Sequence, residues 1–471
     1  MITTTKETAV EKVGALIEAM CTAVPQGRAS LDQHEISLLR PLTRSLLSEA
    51  PESEAEYLRY LAIRGRFLPV PMGMAGRWVK DKTILVTGGT GCIGSALIGR
   101  LLTLQPRCTV SISRGMTRSW PRTGGAEYVS ADVRDEPTLT SIMADVRPDV
   151  VFHVAAQRDP GLAERAVHQT VTTNVLGTRN VIAAAKRVGV PRIVFASTGK
   201  TVIPYTPDVY SASKRIAEWL ASNSVGRGGI FCTAARFTHI VDNSIVHQRI
   251  RKGCENGLIR LHGAQSVFYV QSALESAQLL ICAGLESRAG SLGVHAISDL
   301  GWPADLLSLA LGALRRTGSD SVIYFSGHDP GYRGYVPFPG QYDPHSSWET
   351  SPLVNAFEAR VGRRAEYGHV DIFPRRPVTG VRLEDHFLAL QETCAKTRDP
   401  ELIRGELDAL SWSIFEATLD TVPVDALLRI HDSRISWNDP EGIAHPRILA
   451  AIESRVARHL SRVQSPEAEA S

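Results

Sequence analysis

The 471-residue chain is predicted to be an α/β protein built on a doubly wound parallel sheet, with a helical N-terminal extension and a smaller α/β plus helical C-terminal region. Three observations predict this. From Thr83 onward, short β-branched runs alternate with helical segments, as in a parallel sheet covered on both faces. The first of those runs ends in Gly88, Gly91 and Gly94, which open a helix. Ahead of Thr83 the apolar spacing is helical only.

Taken in order, residues 1–80 form the helical extension. "ETAVEKVGALIEAMCTAV" carries apolar residues three to four apart, and "SLDQHEISLLRPLTRSLLSEA" starts with Ser30 as its N-cap. "RFLPVPMGMAGRWVKDK" reads as a connector because of its Pro and Gly. Residues 81–235 are the core, with "TILVTGG", "CTVSISR", "AEYVSADV", "PDVVFHVAA", "PRIVFAS" and "IFCTAARF" as strands. Residues 236–380 are a mixed region completing the core, and its aromatic stretch from Gly327 to Pro344 reads as an ordered loop. Residues 381–471 are helical, ending in a frayed polar tail.

Composition narrows the function. With 52 Lys+Arg against 49 Asp+Glu, the net charge of +3 points to neither nucleic acid nor an anionic membrane. The 7 cysteines are scattered without C-x-x-C, which suits a reducing cytoplasm and neither a disulfide framework nor a zinc site. The N-terminus lacks the basic start and apolar core of a secretory signal, and no apolar run is long enough for a membrane span. The 14 histidines show no metal-ligand spacing, so no metal is expected.

Glycines after a strand and at a helix start let backbone approach a pyrophosphate, with Cys92 and Ile93 supplying first-turn amides at the positive end of the dipole. That makes this a dinucleotide-binding, Rossmann-type end. The second strand closes on Ser113 and Arg114 where a carboxylate would select NAD, so NADP is expected first and NAD second, with Arg118 also in reach. Asp132 is placed to accept from the adenine amino group and Val133 to pack on the ring.

These stretches, together with "RPDVVFHVAAQ", "TNVLGTRNVIAAA", "RIVFASTGK" and "YSASKRIAEWL", resemble the extended short-chain dehydrogenase/reductase superfamily from about Thr83 to Gly284. The nearest likeness is to its polysaccharide-biosynthesis branch of nucleotide-sugar epimerases and 4,6-dehydratases. The resemblance implies that Val154, Ala155 and Ala156 line the cofactor, that Asn174 supports the active site, and that Thr198, with Ser197 beside it, provides the catalytic hydroxyl. It also implies a homodimer through two core helices. Tyr210 and Lys214 fall one turn apart on one helix face, where the ammonium and a nicotinamide would lower the phenol's pKa for proton abstraction.

The chain departs from the dehydratases at "STGK": Lys200 stands, but Gly199 replaces the acid that protonates the departing hydroxyl. Lys200 is then catalytic, a phosphate contact or a surface charge. Arg158 and Asp159 replace a Lys-His pair, and Asp159 is the first candidate for a substitute acid. A nucleotide-diphosphate sugar is the expected substrate, with Arg236, Asn243, Arg249 and Arg260 as its contacts, although Arg236 is equally readable as structural. The expected enzyme oxidises a sugar hydroxyl transiently at C4; a plain NADP-dependent dehydrogenase/reductase and a non-catalytic binding protein are the alternatives.

Overall fold

β1 (Thr83–Thr87) is buried along its whole length, and its run of β-branched and aliphatic residues is what a strand covered on both faces requires. It pairs in parallel with β2 (Cys108–Ser113) on one side and β4 (Val150–His153) on the other. β3 (Glu127–Ser130) extends the β2 side, and β5 (Arg192–Thr198) and β6 (Phe231–Phe237) extend the β4 side, all in parallel. The strand order therefore reverses between β1 and β4, the switch point where ligands of open parallel sheets bind. Leu292–Ile297 continues in parallel beside β6, and Val370–Arg375 and Arg363–Arg364 close that edge antiparallel, making nine strands. All six predicted strands are present.

The computed structural model describes residues 2–115, 122–225, 230–264, 266–286, 290–328, 351–359, 362–432 and 444–464. Arg118, most of the Gly327–Pro344 loop and the C-terminal tail lie outside the described residues.

The chain divides into two units. One comprises Phe67–Phe237, Leu274–Asp299 and Val336–Ser471 and holds the nine-stranded sheet. Its C-terminal helices Val381–Lys396 and Pro400–Leu419 share an apolar core with helix Val209–Ser224, joining Leu390, Leu407, Leu410 and Ile414 to Val209, Ala212, Ile216 and Trp219. The chain's own C-terminal helices cover this helix, which is why nearly all of Val209–Ser224 is buried.

The other unit comprises Met1–Arg66, Thr238–Ala273 and Leu300–Tyr335. The N-terminal helices share a core here with later segments: Leu39, Leu46, Tyr57 and Tyr60 pack with Ile259, Leu309, Leu314 and Ile323. Helix Ser53–Ala62 lies so close to Gly312 that a side chain there would meet the Ser53 backbone and the Tyr57 Cβ. Helix Gln33–Glu49 is capped by Asp32 rather than Ser30: Asp32 Oδ1 accepts the Glu35 N–H at 2.8 Å and Glu35 Oε2 accepts that of Asp32 at 2.9 Å, a reciprocal box that Ser30 is too far upstream to make. The expected connector, in the first unit, contains helix Met72–Val79.

Candidate active site

At the C-terminal end of β1 the chain turns at Gly88 with φ +76°, and a Cβ there would lie 2.7 Å from the Ala155 nitrogen. A Cβ on Gly94 would fall on the Gly88 carbonyl oxygen. Gly91 takes the N-cap position of helix Cys92–Leu102, so Cys92 and Ile93 stand in the first turn at the positive end of the helix dipole. Only glycines permit this closeness, and the resulting cradle fits a dinucleotide's pyrophosphate. Val154 and Ala155 are fixed beside it by their amides, which donate to the Thr87 carbonyl at 3.1 Å and the Thr87 hydroxyl at 3.3 Å, and half-buried Ala156 follows.

β2 ends on Ser113 and exposed Arg114. Two of the adenosine-side expectations change. Both Asp132 oxygens accept from Arg134, the closest at 2.6 Å; burial pushes the carboxyl up, but Arg134 and nearby Arg114 hold it below its usual range. Val133 is buried with its Cγ2 against Gly177, so its side chain is already packed at the start of helix Gly177–Val188.

Helix Val209–Ser224 presents Tyr210 and Lys214 one turn apart. Thr198 is close enough to the Tyr210 phenol to favour its ionised form. Lys214 Nζ donates to the Ala196 carbonyl at 2.6 Å, and burial pushes its pKa down to about 8 against the opposing pull of Glu218. The expected acidification of the phenol is not what the protein alone produces. Burial raises the Tyr210 pKa, opposed by Thr198 and by the Arg158 guanidinium, while the Lys214 ammonium is turned to a carbonyl. Asn174, buried in the π-helical turn Thr172–Leu176, ties the region together: its Nδ2 donates to the Gln157 carbonyl at 3.0 Å and to Ser213 Oγ at 3.1 Å, and Ser213 Oγ donates to the Tyr210 carbonyl.

Thr198 ends β5 and caps the short turn Gly199–Val202. Ser197, one residue back, faces the other side of the strand, where its hydroxyl donates to Glu218 Oε1 at 2.5 Å; it is not a second catalytic hydroxyl. Lys200 is no surface charge. Burial lowers its pKa, and Asp208 and Glu164 act to raise it. A Cβ on Gly199 would stand 2.6 Å from Leu353 Cδ2.

Beneath this turn lies an ionic cluster that sequence reading missed. Glu218, 2% exposed, accepts from Arg236 Nη2 at 2.9 Å and Arg375 Nη1 at 2.6 Å, besides Ser197 and Thr201. Arg236 is 0% exposed and is further held by Glu358 at 2.7 Å, so it is structural and meets no substrate. The signal for Glu218 was its spacing, i+4 from Lys214 and i+8 from Tyr210 on one helix.

The other expected contacts divide. Arg158 is exposed, and Asp159 caps helix Pro160–Arg165 by accepting the Leu162 N–H at 3.1 Å, which commits the proposed acid to a turn. In the other unit, Arg260 donates to the carbonyls of Arg28 and Ala29 at 2.9 and 2.7 Å, so its fork serves the N-terminal segment. Exposed Arg249 sits 3.3 Å from His262 Nε2, and Asn243 ends the turn Val241–Asn243. Among the described residues no acidic, His or Cys cluster could hold a metal, and no helix is long and apolar enough to cross a membrane.

Residues 84–272 match the model of the NAD dependent epimerase/dehydratase family. The capsular polysaccharide biosynthesis protein CapD of Staphylococcus aureus is 30% identical over 288 residues, 57% of this chain and 47% of that protein. The UDP-glucose 4-epimerase of Rickettsia prowazekii is 26% identical over 274 residues, 54% of this chain and 76% of that enzyme. The chain thus spans about half the length of the staphylococcal protein. Among solved structures, Pen from Bacillus thuringiensis superposes with a TM-score of 0.53 at 23% identity, covering 64% of this chain and 92% of Pen, a likeness of fold.

Proposed function

We propose, from the match of residues 84–272 to the NAD dependent epimerase/dehydratase family, that the chain is a nucleotide-sugar enzyme working by transient oxidation of a sugar hydroxyl at C4. The observation that carries the reading is that Tyr210 and Lys214 stand one turn apart on a buried helix, with Thr198 close enough to the phenol to favour its ionised form. Tyr210 takes the proton of the alcohol and later returns it. Thr198 aligns that hydroxyl, and the positive charge of Arg158 favours the phenolate as it forms. Lys214 fixes the end of β5 through the Ala196 carbonyl. When bound, a nicotinamide dinucleotide supplies the hydride acceptor; the glycine cradle, Val154, Ala155 and Ala156 would hold it.

Epimerisation is favoured over dehydration. The position of the eliminating acid is Gly199, Leu353 fills the space a side chain there would enter, and Asp159 is a helix cap. NADP is proposed ahead of NAD because Ser113 and Arg114 can receive a 2′-phosphate where no carboxylate stands. A UDP-sugar is the first substrate to try, given the Rickettsia relative's name.

Denaturing the purified protein should release a tightly held dinucleotide, identified by mass. Incubation with UDP- and dTDP-sugars in heavy water should then give a C4 epimer with no deuterium on the ring, because the hydride returns from the dinucleotide that took it. Loss of water with deuterium beside the new carbonyl would instead make it a dehydratase. Stoichiometric consumption of added dinucleotide would make it a simple dehydrogenase, and no product from any sugar would refute the substrate class.

A further inference from the structure

Helix Val209–Ser224 begins without a side-chain cap of its own. Asp208, in the N-cap position, gives the helix no side-chain cap; its carboxylate accepts the Thr206 hydroxyl at 2.8 Å. First-turn amides have no acceptor within a helix. The Val209 amide, adjacent to Tyr210, is satisfied from outside: Glu164 Oε1 accepts it at 2.8 Å. The second oxygen of that carboxylate accepts from Arg404 Nη1, and Arg404 Nη2 donates to the Glu164 backbone carbonyl. One guanidinium therefore grips both the main chain and the side chain of Glu164. A carboxylate on a flexible side chain, held at two points by a planar fork, keeps its free oxygen aimed in one direction. The Glu164 and Arg404 side chains are 10% and 29% exposed, so the pair is only partly screened by water. Arg404 stands on helix Pro400–Leu419, outside the residues that match the family, and this helix packs along the Tyr210 helix through Leu407, Leu410 and Ile414.

Resting on the reading of Tyr210 as the proton-transfer group, we propose that the C-terminal helix Pro400–Leu419 is a built-in positioning element of the active site, with Arg404 and Glu164 setting the start of the Tyr210 helix. Arg404 and Glu164 are positioning residues. The same carboxylate also acts on Lys200, so the tether reaches the turn after β5. Packing alone would seat the two helices against each other, but it would not orient the first-turn amide.

The test is amide hydrogen exchange on the full chain, in Arg404→Gln, Arg404→Lys and Glu164→Gln, with Arg382→Gln as control because the Arg382–Glu416 pair, between the two C-terminal helices, is exposed. Exchange at Val209 should rise about ten-fold in Arg404→Gln, the loss of one charge-assisted bond, with the amides of Ile216–Ala221 unchanged. Arg404→Lys should recover most of the protection, and Arg382→Gln should match the unaltered protein. The kcat of Arg404→Gln should fall with little change in KM. Val209 exchange at the unaltered rate in both Arg404→Gln and Glu164→Gln would overturn the proposal. Should Arg404→Gln not fold, Glu164→Gln gives the same reading. Failure of the unaltered protein to turn over any nucleotide sugar would sink the substrate reading and leave the amide measurement standing.

Discussion

A single methyl group placed on Gly199 should report how the turn after β5 is closed. The Cβ would lie 2.6 Å from Leu353 Cδ2 and 3.4 Å from the Phe237 carbonyl oxygen, whereas carbon atoms rest at about 3.5–4.0 Å. Leu353 has little room to retreat: it is buried, its N–H donates to Ser351 Oγ at 3.2 Å and its carbonyl accepts Arg236 Nη1 at 3.1 Å. The methyl must therefore push Leu353 off its rotamer, at about 1–3 kcal/mol. Gly199 is not among the residues with positive φ, so backbone conformation adds nothing to that figure. Leu353→Ala alone should cost about 2–5 kcal/mol. In the double variant the methyl enters the vacated space, and Gly→Ala then stabilises by about 0.4–1 kcal/mol through the unfolded chain. Urea unfolding of the four proteins, each saturated with the same dinucleotide, closes the cycle, and the coupling should reach about 1–3 kcal/mol. An equal cost of Gly199→Ala with and without the leucine would refute the steric account, and with it the argument against an acid at this position.

Three further outcomes follow from the geometry. Glu218→Gln should destabilise by about 3 kcal/mol or more, because Arg236 and Arg375 keep their buried charges while losing the carboxylate they share; urea unfolding indistinguishable from the unaltered protein would contradict this. Gly94→Ala should abolish dinucleotide retention, read as nucleotide released per chain, since its Cβ falls on the Gly88 carbonyl oxygen and the cradle opens; full retention would remove the cradle from the site. Burial lowers the pKa of His153 to about 3 and of His295 to about 4, so the unfolded chain binds these protons first as pH falls. Stability should be full above about pH 6.5 and decline below it, by up to about 1.4 kcal/mol per pH unit for each group. His153→Gln should flatten that slope, and an unchanged slope would show that His153 does not carry it.

The features legible in the amino-acid string are local ones. Alternating strand and helix periods, a glycine spacing that only a strand-to-helix turn explains, and Tyr210 one turn from Lys214 all depend on residues a few positions apart, so they survive as pattern. The tertiary structure decided which side chains those residues meet. Ser197 and Thr198 are neighbours in the chain, but the pleat sends one to Glu218 and leaves the other for Tyr210. Arg236 and Arg260 looked available for a diphosphate until a buried carboxylate pair and two backbone carbonyls took their donors. Gly199 looked like a missing acid, and it is also the position that Leu353 requires to be empty. The amide before Tyr210 is capped from 45 residues upstream by Glu164, which is gripped from 240 residues downstream by Arg404. No periodicity encodes such pairs, because a hydrogen bond depends on distance in space, and that distance exists only once the sheet and its covering helices have closed.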